Sequence, residues 1–182
     1  MKPIIDKLLS ETVTAPAKPW KRCCEHAVGG LRAVGFLKSQ GQACVDKLLA
    51  IGSNGQTVID CFSGEIISRN REKDGYDENE LTGWVLSSNY SEPIPMSGID
   101  GGGLKACTED GWSVDSISIN WPIYHFILQH PGSNIFLDHK LSRESEFDLI
   151  DFDHKAVAWG FSWSGKTLVL ATSSDVIIWT RA

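Results

Sequence analysis

Short apolar runs, cut at close intervals by turn residues, constrain this chain more than any other feature of its sequence. Leu31 to Leu37 stops at Ser39-Gln40-Gly41, Lys47 to Ile51 at Ser53-Asn54-Gly55, and Thr57 to Phe62 at Ser63-Gly64, with Glu65 to Ser68 beyond. Later, Ala156 to Phe161, Thr167 to Ala171 and Val176 to Thr180 are parted by Ser164-Gly165 and Ser173-Ser174. Runs this short and this rich in β-branched residues suit strands, and Asn-Gly supplies the positive backbone angles of a tight hairpin. Between them, Trp84 to Ser87, Ser113 to Ile119, Ile123 to Gln129, Asn134 to Leu137 and Phe147 to Phe152 read as further strands. Helical spacing occurs only in residues 2–10, through Ile4, Ile5, Leu8 and Leu9. The expected fold is mainly β: stacked antiparallel β-meanders, small or incomplete and propeller-like, with a short N-terminal helix or strand. Its parts are an N-terminal segment 1–28, a first meander 31–70, an irregular β middle 81–152 and a last meander 154–180, in one domain 1–182. Residues 69–80 read as a charged, solvated loop.

At 182 residues the chain buries about 70% of its unfolded surface and needs no disulfide or metal to fold. Asp6 and Lys7 break the N-terminal apolar run well short of a signal-peptide core, and no stretch approaches the ~18 apolar residues of a membrane span. Five cysteines (Cys23, Cys24, Cys44, Cys61, Cys107), odd in number and without zinc-ligand spacing, then read as free thiols of a cytoplasmic protein. The formal net charge is −6, which disfavours direct binding of nucleic acid or an anionic membrane.

Several strings suggest chemistry. Gly160-Phe161-Ser162-Trp163-Ser164-Gly165-Lys166-Thr167 satisfies the phosphate-loop pattern. A phosphate loop opens a helix, whereas here a β-branched run follows and the chain has little left for an NTPase sheet, so the string reads as a hairpin turn. His125, His130, His139 and His154 have irregular spacing on different elements, unlike metal ligands. Gly101-Gly102-Gly103 follows Asp100 and precedes no helix, so it reads as a turn. Glu109 and Asp110 beside Trp112 are the best pair for a glycoside-hydrolysing or carbohydrate-binding site. Trp159, Phe161 and Trp163 share one strand parity and are expected on one face. No catalytic residue, cofactor or metal is assigned.

Two segments carry a resemblance. His154-Lys155-Ala156-Val157-Ala158-Trp159-Gly160-Phe161-Ser162, the Gly165-Lys166 turn and Asp175-Val176-Ile177-Ile178-Trp179 are similar to a blade of the WD-repeat β-propellers, with Thr180 where that family has aspartate. Thr57-Val58-Ile59-Asp60 with Ser63-Gly64 resembles the same strand and turn, with Ile59 in place of tryptophan. The resemblance implies four-stranded blades that bury their faces against one another, with the N-terminal segment able to complete the last one.

Acidic residues gather at Glu72, Asp74, Asp77, Glu78 and Glu80, at Glu109, Asp110 and Asp115, and at Glu144, Glu146, Asp148, Asp151 and Asp153. If they converge on one face they steer a basic partner. In general character (compact, acidic, without catalytic motifs) the chain resembles bacterial toxin-immunity proteins. That implies a non-enzymatic protein-binding module that blocks a basic nuclease toxin. The contact residues expected are Asp74, Tyr76, Asp77, Glu78, Glu80, Trp84, Glu144, Glu146, Asp148 and Asp151. The alternatives are a propeller-like interaction scaffold and the carbohydrate site at Glu109 and Asp110.

Overall fold

The structure, a computed structural model, describes residues 6, 8, 12–38, 46–72, 75–86, 90–153 and 156–181. It is built almost wholly of antiparallel sheets. After β1 (Lys21–Ala27), the first meander runs β2 (Leu31–Phe36), β3 (Lys47–Gly52), β4 (Gly55–Asp60) and β5 (Ile66–Asn70). The middle holds the short β6 (Tyr76–Asp77), β7 (Thr82–Gly83), β8 (Ile94–Pro95) and β9 (Ser97–Gly98), then β10 (Ser113–Asn120), β11 (Ile123–Gln129), α1 (Ile135–Lys140) and β12 (Phe147–Asp153). The last meander is β13 (Ala156–Phe161), β14 (Thr167–Thr172) and β15 (Asp175–Thr180). The sheets are ordered β5-β4-β3-β2-β9, β6-β7-β8, β10-β11-β12 and β1-β15-β14-β13.

Side-chain alternation explains how the sheets stack. Leu48 and Ala50 of β3 face one way and meet Val169, Ala171, Val176 and Ile178 of the last sheet, whereas Leu49 and Ile51 face the small sheet of β6–β8. Leu168, Leu170, Ile177 and Trp179 leave the last sheet on its other side and pack on Val114, Phe126, Leu128 and Ile150 of β10–β12. The sheets are therefore layered β6–β8, β2–β5, β13–β15 with β1, then β10–β12. Strands buried on both faces lose the polar half of their alternation. That is why Leu48-Leu49-Ala50-Ile51 and Val176-Ile177-Ile178-Trp179 are continuous apolar runs. The far face of β10–β12 is covered by Ile135 of α1 and by Leu8. Among the described residues, no helix is long and apolar enough to cross a membrane.

Two connections hold the stack together. β1 pairs along β15, from Lys21 opposite Thr180 to Ala27 opposite Asp175, so the N-terminal segment completes the last sheet. The chain from β9 to Thr108 then runs over the inner edges of three sheets. Gly98 pairs with Ala33 of β2, Lys105 with Phe161 of β13, and Cys107 with Ser113 of β10. Gly160 makes the middle crossing possible: its φ is 148°, and a Cβ there would lie 2.5 Å from that of Leu104.

Some elements differ from the sequence reading. Residues 134–137 are not a strand. Asn134 Oδ1 accepts the N–H groups of Phe136 and Leu137, and the cap starts α1. The charged stretch 69–80 is not wholly loop, since Arg69 and Asn70 pair in β5 and Tyr76 and Asp77 form β6. Trp84 follows a two-residue strand instead of opening one. Asp6 and Leu8 are helical, as the N-terminal spacing suggests.

Candidate functional site

The phosphate-loop string is consumed by a single carboxylate. Asp46, at the entry to β3, is buried, and its Oδ2 accepts from Ser162 Oγ (2.8 Å), Ser164 Oγ (2.6 Å) and Thr167 Oγ1 (2.7 Å). Trp163 Nε1 donates to Phe36 O at 3.1 Å across the same gap. The β13–β14 turn is thus locked to the first sheet, and β14 follows where a phosphate loop requires a helix. Trp163 leaves the face it was expected to share. Trp159 packs on Phe126 and Phe161 on Trp20, while Trp163, beyond the strand end, turns toward β2.

The carbohydrate pair is also committed to structure. Asp110 makes a bidentate pair with Arg181 (2.5 and 2.7 Å), which holds its carboxyl well below the usual carboxylate range, and Arg181 stacks on Trp20. Trp112 is buried between Trp20 and His130. The thiols differ widely: Cys61 is buried, Cys23 and Cys24 are half-buried against the 61–64 turn, and Cys107 is exposed. Burial, with the Cys23 thiol beside it, pushes Cys24 up to about 12, and burial with the nearby Asp46 carboxylate raises Cys61 further. Among the described residues no group of three His, Cys, Asp or Glu is placed to hold a metal ion.

The expected contact residues separate to two ends of the stack. One end gathers the β1–β2, β3–β4 and β14–β15 turns, tied by Val28 N–H to Ser174 O (2.6 Å) and Ser53 N–H to Gly30 O (3.0 Å). Arg32, at the start of β2, meets Glu78 (2.6 Å) and Asp100 (3.1 Å) there. Tyr76 OH donates to Asp100 at 3.1 Å, and burial together with that bond pushes the phenol up to about 12. Asp77 Oδ1 accepts the N–H groups of Asn79 and Glu80 and shapes the β6–β7 turn, leaving Glu80 exposed. Trp84 is partly exposed and its carbonyl accepts from Gln56 Nε2. Asp74 lies outside the described residues.

The opposite end carries the Asp46 lock. β10 starts there, because Cys107 pairs with Ser113 and Thr108 lies against Gly165. The register Ser113–Gln129–Phe147 then places Glu144 and Glu146 at that end. Glu146 approaches His130 Nδ1 at 3.6 Å, and Asp148 binds His130 Nε2 (3.0 Å) and the Ala17 N–H (2.9 Å). Asp151, opposite Phe126 and half-buried, lies nearer the first end. So the two acidic groups do not converge. At the Asp46 end Glu109, Asp110, Glu144 and Glu146 are matched by Lys140, Arg143, Lys166 and Arg181. At the first end Glu72, Asp77, Glu78, Glu80, Asp100 and Asp175 outnumber Arg32, Arg69 and Arg71.

The first end also carries residues that the sequence reading did not select. The β10–β11 turn projects Trp121, which is 82% exposed, and Phe152 near the end of β12 is 55% exposed. A tryptophan between two apolar runs, followed by Pro122, was the available signal for an exposed anchor. Asp100 had only its glycine run as a marker, and Asp46 had none. Comparison with protein-family models, curated proteins and solved structures finds no match.

Proposed function

We propose that this chain is a non-enzymatic protein-binding module that uses its acidic end to hold a basic partner, in the manner of an immunity protein that blocks a nuclease toxin. The observation that carries this reading is the surplus of carboxylates at one end of the stack, the end at which the exposed Trp121 also projects from the outermost sheet. Carboxylates speed encounter with a cationic surface, and a large exposed aromatic supplies contact area at small entropic cost. A nuclease is basic where it grips its polyanion, so an acidic end fits such a surface. In this reading Tyr76, Asp77, Glu78, Glu80, Glu72 and Trp121 face the partner, in the cytoplasm. Glu144, Glu146 and Asp148 do not.

The completion of the last sheet by β1 favours a related reading of the architecture: the sheets are degenerate WD-repeat-like blades in an open stack. The test of function is capture of the partner by the tagged full chain from its own cells, followed by assay of the captured protein on RNA and DNA. The expected result is a basic protein whose cleavage activity stops when the chain is added. A captured protein that is acidic, or whose nuclease activity is untouched, overturns the proposal.

A further inference from the structure

A cleft of about 290 Å³ opens on the acidic end between the β3–β4 hairpin and Tyr76. It is at the small limit for ligand pockets, a size for one long side chain instead of a cofactor. Its wall is rigid: the buried Gln56 donates Nε2 to Trp84 O (3.0 Å) and accepts the Leu86 N–H on Oε1 (2.9 Å). Backbone approaches closely at Gly55, whose φ is 110° and where a Cβ would lie 2.1 Å from Asn70 O. Arg32 lines the cleft, but its guanidinium is gripped by Glu78 and Asp100, so those three groups carry net negative charge. Glu72, also on the lining, makes no ion pair among the described residues. The lining therefore offers a carboxylate unpaired among the described residues, an aromatic ring and surplus negative charge beside an arginine already held over Tyr76 at 5.7 Å.

We infer that this cleft takes an arginine side chain of the basic partner, its guanidinium against Glu72 and its alkyl stem along Tyr76. The inference rests on the binding reading above and names the chemistry of one contact within it. An anion is disfavoured because Arg32, the one cation among the described lining residues, is already neutralised.

The probe is N-acetylarginine amide, titrated into the full chain and followed by backbone NMR shifts. Saturable one-to-one shifts at Ser53, Gly55, Gln56 and Gly75 are expected. Glu72→Gln should weaken binding about fivefold, the scale of an exposed charge pair. Glu144→Gln, at the opposite end of the stack, should leave it unchanged. Absence of saturation, shifts centred elsewhere, or an equal loss with Glu144→Gln overturns the inference. Spermidine binding more tightly than the arginine probe overturns the assignment to a partner side chain. The two proposals fail separately. An arginine probe that binds while no basic protein is captured removes the function and leaves the cleft. A captured basic nuclease with no probe binding does the reverse.

Discussion

Asp46 shows how much one residue can decide. Three hydroxyls converge on one of its oxygens, and Ser162 and Thr167 have no solvent to turn to. Asp46→Ala leaves those donors unsatisfied inside the protein and should cost about 3 kcal/mol, read as a lower urea midpoint with an unchanged slope. Asp46→Asn keeps an acceptor and should cost less. Two other aspartates give opposite pH effects. Arg181 lowers the folded pKa of Asp110, so its stabilisation is complete above the unfolded value of about 4 and drains away as pH falls. Because Asp110 is half-exposed, the effect stays under about 1 kcal/mol. Burial raises Asp115, so its cost is present at neutral pH and is relieved on acidification. Asp110→Asn should therefore unfold more easily than the parent at pH 7, with the gap closing below about pH 4. Asp115→Asn should be the more stable chain at pH 7, its advantage shrinking in acid. Thermal unfolding across pH checks both signs.

Among the elements, those with a distinct apolar run were legible and those defined by partners were not. β3, β14 and β15 stand out because both their faces are buried. β1 reads Lys-Arg-Cys-Cys-Glu-His-Ala, mostly exposed or half-buried, with a bulge between Arg22 and Cys24. Such a string has no period to detect, and only the open edge of β15 makes it a strand. Removing residues 1–28 should expose that edge and take away the buried Trp20, so the chain should aggregate, seen as a shift to the void volume on gel filtration. α1 was misread because Ile-Phe-Leu suits either state over so short a run. Its start is set by Asn134, and Asn134→Ala should cost about 1 kcal/mol while leaving the strand signal in circular dichroism intact.

For the whole molecule, the consequential finding is that charge is divided by end. Glu144 and Glu146 looked equivalent to Glu78 and Glu80 in the sequence, yet the strand registers carry them to opposite ends of the stack. Charge reversal at Glu72 and Glu80 should slow association with the proposed basic partner and flatten its salt dependence, and reversal at Glu144 and Glu146 should do neither. Trp121→Ala should leave the melting temperature unchanged, because the side chain is 82% exposed, but should weaken the complex by about 2 kcal/mol. Stopped-flow association and equilibrium titration against the captured partner check these outcomes.

Local chemistry wrote the meanders into the sequence: alternation, β-branching and turn residues act over a few neighbours, and they suffice for strands and hairpins. The order of the sheets, the Asp46 lock, the register of the N-terminal strand on β15 and the acidic end were decided by tertiary structure. Each depends on which residues, often more than a hundred positions apart, come within hydrogen-bond or packing distance, and no short-range pattern encodes that meeting.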